Sequence, residues 1–340
     1  MARADITQAD SDGAEPERPR PRPLRLLDGW RRDRAIWRRG LILAAFAVLL
    51  ALVMALHSHI PNRVGSLGSL TETFLPWLGF GVPLLLILAV VRKSATALIA
   101  VLLPAVVWVS LFGGLVTDKA GSGGDLTVAT HNVDAGNADP EGTARKIAES
   151  GADVVALEEL TAATVPTYTE TLAGTYKYHQ VKGTVGLWSK YPMRDTRPVD
   201  IKMGWTRALR STVETPQGEV AVYVAHLPSV RVKLNAGFTA GQRDASAEAL
   251  GLAIRDESLR RVVLLGDLNG TMNDRALSPV TSQLRSTQGA AGDGFGFSWP
   301  AAFPMARIDQ IMVKGVQPEA SWTLPRTGSD HLPLAASVSF

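Results

Sequence analysis

Two short polar motifs in this chain could do chemistry. One is Gly328-Ser329-Asp330-His331-Leu332-Pro333 near the end, and the other is Gly266-Asp267-Leu268-Asn269 upstream of it. Each borders an apolar run that reads as a buried strand, so each delivers carboxylate, amide or imidazole groups to a strand end. Asp267 and Asn269, two residues apart, point to the same side if the strand continues. The adjacent Asp330-His331 pair supplies a carboxylate beside a proton carrier. Hydrolysis of a phosphate ester or anhydride needs such a set, which can hold a divalent metal, align water and steady developing charge. A lone Asp-His pair is more often a surface or capping feature, whereas two strand-end motifs in this order are a stronger signal.

The elements that must position these residues follow from residue pattern. Leu126–His131 alternates and reads as a strand ending at Asn132-Val133-Asp134, after which Asp139-Pro140 opens a helix through Ser150. Val154–Leu157 is a short buried strand ending in Glu158-Glu159, and Gly186–Ser189 is another. Ala208–Glu214 and Val220–His226 flank Pro216-Gln217-Gly218, a hairpin signal. Gln242–Ile254 reads as a helix, and Val262–Leu265, Ile308–Val313 and Leu332–Phe340 as strands. Strands alternating with helices, together with a hairpin, predict mixed sheets packed between helices.

The order Asn132, Leu157-Glu158-Glu159, Ser189-Lys190-Tyr191-Pro192, His226-Leu227-Pro228, Gly266-Asp267-Leu268-Asn269, Arg307-Ile308-Asp309 and Ser329-Asp330-His331 resembles the endonuclease/exonuclease/phosphatase superfamily across nearly all of residues 125–340. The resemblance implies a four-layer α/β sandwich, two mixed β-sheets flanked by helices, with the site at the strand ends. It implies Glu159 as the principal Mg²⁺ ligand (Mn²⁺ is the second candidate), assisted by Asn132 and Asp134, with Asp330 near the metal. Asp267 would orient or deprotonate water, and Asn269 would hold a phosphoryl oxygen. His226 would give a further donor to the phosphoryl group or the leaving oxygen. Asp309 would orient His331, whose imidazolium would stabilise the transition state. One departure stands out: many members have Gln before the metal-binding Glu, and this chain has Glu158. Alternation along a strand exposes one of the two acids to the site, and the register favours Glu159.

Blander readings stand beside these. Asn132 could be a turn residue, and Asp134 a surface acid. His131 points opposite to Asn132 on its strand and reads as structural. Arg243 and Arg210 are candidate phosphate-binding residues, or else a solvated helix residue and a hairpin cation. Asp267, Asn269, Asp309 and His331 are the strongest candidates, because buried acids at strand ends are costly without a task.

Composition divides the 340 residues unevenly. Residues 1–117 hold 13 Lys+Arg against 8 Asp+Glu, and residues 118–340 hold 22 against 24, so the basic excess belongs to the N-terminal part. That disfavours nucleic acid as a partner of the C-terminal domain. The absence of cysteine excludes disulfides, thiolate metal sites and a cysteine nucleophile. Residues 1–39 are polar and rich in Pro and Arg, and read as a disordered basic tail. Within 40–117, Gly40–His57, Leu75–Val91 and Ala95–Leu115 read as three transmembrane helices, near the ~20 residues that cross a bilayer core. Lys and Arg gather in the tail and at Arg92-Lys93, whereas the 58–74 loop has only Arg63. This distribution predicts a cytoplasmic N-terminus and an extracytoplasmic domain at 125–340, joined by a short linker at 118–124, and the excess of Arg over Lys with abundant Ala points to a bacterial cell membrane.

Three function classes compete: an outward-facing phosphatase of a lipid-linked phosphate or pyrophosphate, an extracytoplasmic nuclease or phosphodiesterase, and a non-catalytic interaction module. The intact polar set argues against the third, and the acidic balance of the domain against the second. Three spans and a short linker favour the first, with the membrane and its lipid as partners and no protein partner expected. The layout further resembles the VanJ-type teicoplanin-resistance proteins of actinomycetes. That resemblance implies undecaprenyl pyrophosphate dephosphorylation in cell-wall lipid recycling.

Overall fold

A computed structural model describes residues 34–62, 65–233 and 237–340, so the basic tail expected at 1–39 lies largely outside the described residues. Its centre is a pair of six-stranded sheets. The first has the order β13 (Gln317–Thr323), β14 (Leu334–Ser339), β1 (Leu126–Asn132), β2 (Val154–Glu158), β4 (Val185–Ser189), β3 (Tyr178–Lys182). The second has the order β11 (Arg285–Ser286), β12 (Asp309–Lys314), β10 (Val262–Asp267), β7 (Gly218–Ala225), β6 (Ala208–Thr215), β5 (Met193–Pro198). A small hairpin, β8 (Arg231–Lys233) with β9 (Gly237–Thr239), stands apart. β1 runs parallel to β2 and β7 parallel to β10, and the other pairings within the two sheets are antiparallel, so both sheets are mixed.

Alternation along each strand sorts side chains between two faces. Val128, Ala156, Leu187, Val222, Leu265 and Ile311 fill the layer between the sheets. On the outer face of the first sheet, Ala129, Val155 and Leu157 meet the helices Pro140–Glu149 and Val165–Leu172 through Ile147, Tyr168 and Leu172. The second sheet is covered by Gly241–Arg255 and Ser278–Thr281 through Leu250, Ile254 and Val280. This is the four-layer sandwich. Asp139 caps its helix as expected, accepting from the Gly142 amide at 2.9 Å, with Pro140 in the first turn. The β6–β7 hairpin closes with Thr215 opposite Gly218.

The membrane-side region departs from expectation at one place. Ile36–Ala55 and Ala95–Leu115 are long and apolar enough to cross a bilayer. The segment Leu75–Val91, expected as a transmembrane helix, is helical throughout, with a 3₁₀ stretch, Leu75–Phe80, leading into an α-helix, Gly81–Val91, and it makes a third span only together with the helix before it. Before it, the helix Leu67–Thr73 is bent away by 70°. The physical cause lies in the sequence: Pro76 removes a helical donor at the break, and the preceding helix has polar groups that the domain satisfies. Thr271 donates to the Glu72 carbonyl at 3.1 Å, and Arg243 reaches Ser69 Oγ at 3.4 Å. Arg275 donates to the Ser58 and Ile60 carbonyls. At the far end, Thr96 Oγ1 donates to the Trp37 carbonyl at 2.8 Å, which brings Arg38-Arg39 and Arg92-Lys93 to the same end of the helices, away from the domain.

Arg210, a phosphate-binding candidate, is a packing residue instead. It is buried on β6, donates to Glu257 at 2.8 and 3.0 Å, and also bonds Thr212. Burial alone would raise the Glu257 carboxyl, but the bonds from Arg210, Leu259 and Tyr223 hold it down to about 2, from an ordinary 4.5. Because the folded value lies below the ordinary one, this stabilisation is fully present above pH 4.5 and lost as pH falls through about 2. Arg210→Ala strands a buried carboxylate and is expected to cost about 3–5 kcal/mol. In thermal melts it should lower the midpoint at neutral pH, with KM unchanged in the fraction that remains folded.

Candidate active site

The site forms where β1, β2, β7 and β10 stop and β12 begins. Asn132 is the last residue of β1, and its amide donates to Glu159 Oε1 at 3.2 Å and to Asp267 Oδ2 at 3.1 Å, tying the first sheet to the second. Both amide hydrogens are thereby committed, so Asn132 positions two carboxylates. Asp134 follows in a left-handed turn (φ 60°), accepts from the Gly136 amide at 2.8 Å, and faces the cleft half-buried.

Alternation is not what separates Glu158 from Glu159. Glu158 pairs with Asn132 across β1–β2 and points between the sheets, fully buried, accepting from Thr130 Oγ1 at 2.9 Å. Burial first, and then the Asp309 carboxylate, push its carboxyl well above the ordinary range, so it stays neutral. A neutral Glu has nearly the shape of the Gln that the superfamily resemblance leads one to expect there. Glu159 enters the cleft because the strand has ended and its backbone is left-handed (φ 61°). There it accepts from Asn132 and from the Ala135 amide.

Asp267 ends β10 just after Gly266, whose φ of 145° and close approach to the Ala225 carbonyl leave no room for a Cβ. Asp267 accepts from the Asn269 amide nitrogen at 2.8 Å and from the Asn269 side chain at 3.1 Å. Burial, then the neighbouring Asp309, raise it to about 7. The Asn269 amide also donates to the Leu227 carbonyl at 3.0 Å. Through these bonds Asn269 orients Asp267 and ties the turn to the end of β7.

Asp309 begins β12 and receives Ser298 Oγ at 2.6 Å and His331 Nδ1 at 2.9 Å. Burial opposes ionisation of this pair at both ends. The mutual attraction prevails, holding Asp309 below its ordinary value and lifting His331 to about 10. His331 Nε2 lies 4.0 Å from Asp267 and 3.9 Å from the exposed Asp330. His226, after β7, has Nε2 at 3.6 Å from both Glu159 and Asp267, too far for a hydrogen bond. Burial, with Arg207 and His331 nearby, pushes its pKa well down and keeps it neutral. Asp267, Asp309 and His331 offer ligand atoms within 4.8 Å of one another, close enough to share an ion. The oxygen-rich edge at Glu159, Asn132 and Asp134 suits a hard cation better, because His331 is protonated.

Arg243 is neither solvated nor a phosphate ligand. It is buried, bonded to Asp274 at 2.6 Å, to Asp244 at 2.8 Å and to the Asn269 carbonyl at 2.9 Å, so it fixes the Asn269 turn. His131 is buried on the opposite face against Thr327, as its place on the strand implies. Sequence reading missed Ser298, which orients Asp309. It also missed Arg207, a half-buried cation near Asp267 and Glu159 whose Nε has no partner. Neither sits in a polar motif, and no local pattern marks them. The cleft of about 410 Å³ is lined by Glu159, Asp267, Asp330 and His331, and also by Thr73 and Phe74 from the membrane-side region.

Residues 129–331 match the Endonuclease/Exonuclease/phosphatase family. Among curated proteins there is no match. Several solved structures share the fold. An endonuclease/exonuclease/phosphatase from Beutenbergia cavernae is 21% identical, with a TM-score of 0.54 covering 64% of this chain and 72% of its own. D. rerio TDP2, complexed with single-strand DNA product, is 17% identical, with a TM-score of 0.54 over 63% of this chain and 99% of its own. Beta toxin from Staphylococcus aureus with bound magnesium ions is 15% identical, with a TM-score of 0.50 over 64% and 100%. The match over most of the sandwich places the chain in the Endonuclease/Exonuclease/phosphatase family, whose members are divalent-metal-dependent hydrolases of phosphoric esters.

Proposed function

We propose that this chain is a membrane-anchored, outward-facing phosphatase. Its substrate in this reading is a polyprenyl pyrophosphate, from which it removes the terminal phosphate to regenerate the monophosphate carrier. The observation that carries the reading is the cleft wall: Thr73 and Phe74, on the segment bent between two apolar helices, face the same cavity as Asp267 and His331. A membrane segment lining the catalytic cleft fits a substrate anchored in the bilayer better than a soluble polynucleotide. The basic residues at the helix ends remote from the domain support an extracytoplasmic domain. The layout that resembles VanJ-type resistance proteins supports a role in cell-wall lipid recycling, with glycopeptide resistance as its consequence.

The donors fit a hard divalent cation, Mg²⁺ in the first place and Mn²⁺ in the second. Glu159 would hold it, with Asn132, Asp134 and Asp330 at its edge, and it would neutralise phosphate charge. The chain's own groups do the rest. Asp267, held by Asn132 and Asn269, orients a water and takes its proton as the new P–O bond forms. Protonated His331, fixed by Asp309, stabilises charge on the phosphoryl oxygens, and neutral His226 donates to the same group or to the leaving oxygen. The bridging P–O bond breaks, leaving lipid monophosphate and inorganic phosphate.

Asp267→Asn and His331→Gln are each expected to lower kcat by about 10²–10⁴-fold, and His331→Gln, which strands the buried Asp309, should also lower the thermal midpoint. Glu159→Gln should weaken metal activation, whereas Glu158→Gln, replacing one neutral group by another, should be nearly silent. Activity lost in Glu158→Gln and kept in Glu159→Gln would reverse the assignment. The pH profile should be a bell. A bound cation lowers the Asp267 midpoint, so the acid limb lies at or below about 7, and activity rises as that proton leaves. The alkaline limb lies near 10, where His331 loses its charge. Substrate class is tested by phosphate release from polyprenyl pyrophosphate in vesicles alongside DNA cleavage over a salt series. Steeply salt-dependent DNA cleavage without lipid turnover would replace the phosphatase with the nuclease reading.

A further inference from the structure

A second cavity, apolar and about 520 Å³ in volume, lies beside the catalytic cleft. It is bounded by Pro76, Trp77 and Phe80 of the bent segment, Pro83 and Trp108 of the two helices that follow, and Phe297 of the domain. The two cavities share both of their connecting strips of chain. Thr73 and Phe74 line the cleft, and Pro76 and Trp77 continue into the groove. Trp299 lines the cleft, and Phe297 continues into the groove. The join is rigid. Trp77 stacks on Phe297 at 5.8 Å and donates to the Met305 carbonyl at 2.7 Å, while Trp108 donates to the Pro76 carbonyl at 2.8 Å. Both indole N–H groups are thus already bonded to carbonyls, and the rings line an apolar cavity.

We propose that this groove holds the first isoprenoid units of the substrate chain and so delivers its pyrophosphate to Asp267 and His331. The proposal rests on the lipid-phosphatase reading. Its occupant is set by position. The far wall, Val82, Pro83, Ala105 and Val109, belongs to helices apolar enough to lie in the bilayer, where the surrounding medium is hydrocarbon. Val109 and Phe80 are 59% and 67% exposed, so the groove opens sideways to that medium. A chain entering there has one polar destination, the cleft at the other end. The bend at Phe74 is the device that creates this route, because a straight span would carry Pro76 and Trp77 away from the domain.

The test uses full-length protein in vesicles and a farnesyl pyrophosphate carrying a terminal diazirine. Light should place the label on the Trp77–Pro83 or Ala105–Val109 peptides, and unlabelled polyprenyl pyrophosphate should compete it away. Ala105→Trp and Val109→Trp, which fill the groove, should abolish that labelling. They should also raise KM for the long-chain lipid roughly tenfold or more while leaving turnover of inorganic pyrophosphate as in the parent, the pattern of lost ground-state binding. If the parent hydrolyses the lipid but labels elsewhere, and both Trp variants keep its KM, the groove proposal fails and the lipid-phosphatase reading stands. If the parent neither hydrolyses nor labels with lipid pyrophosphate, the reading beneath it fails.

Discussion

A buried ion pair across the two sheets is the constraint on which the site depends. Asp309 starts β12 of the second sheet, and His331 stands just before β14 of the first. Their 2.9 Å contact holds the strand ends together where the inter-sheet layer turns from apolar to polar. Either group alone in that interior would be discharged by desolvation. Together they remain ionised, and Asn132 adds a second cross-sheet tie to Asp267. With one charge of the pair removed, the other would be left uncompensated, at about 3–5 kcal/mol. The same pair that fastens the sheets therefore charges the imidazole that faces the cleft.

Around that pair, protonation states separate by environment. Glu158 and His226 are driven neutral by burial, His331 is held charged, and Asp267 is poised near 7. A site with one poised carboxylate and one fixed cation can move a proton and stabilise an anion at the same pH. The membrane-side region is fastened to this domain rather than tethered by a loose linker. Arg243 joins the Asn269 turn to Ser69, and Thr271 joins the same neighbourhood to Glu72. One guanidinium thus supports both the turn that orients Asp267 and the helix that walls the cleft.

Much of this was legible in the sequence because the signals are local. Apolar runs, alternating in β1 and continuous in β2 and β10, marked β1, β2, β7, β10, β12 and β14, and strand-end acids and histidines marked the cleft. Edge strands β3 and β5 were not legible, since their residues are mostly exposed and carry no apolar alternation. The bend at Phe74 was hidden for a different reason. The apolar run from Leu75 to Val91 looks like one span, and Pro76 alone does not announce the turn that the domain's hydrogen bonds to Ser69 and Glu72 hold. Arg210 and Arg243 read as either phosphate ligands or solvated cations because their acidic partners, Glu257 and Asp274, lie more than thirty residues away in the chain. Glu159 was expected in the cleft on an alternation argument, but a left-handed residue after the strand is what puts it there.

The central claim is that a phosphohydrolase site has been built against a membrane so that it takes its substrate from the bilayer. The most direct measurement compares kcat/KM of the full-length protein for one pyrophosphate head group on a long polyprenyl chain in vesicles and on a short, freely soluble chain. The account predicts a clear preference for the long chain, lying in KM and unchanged by added salt. Equal efficiency on both, or a preference for the soluble one, would contradict it.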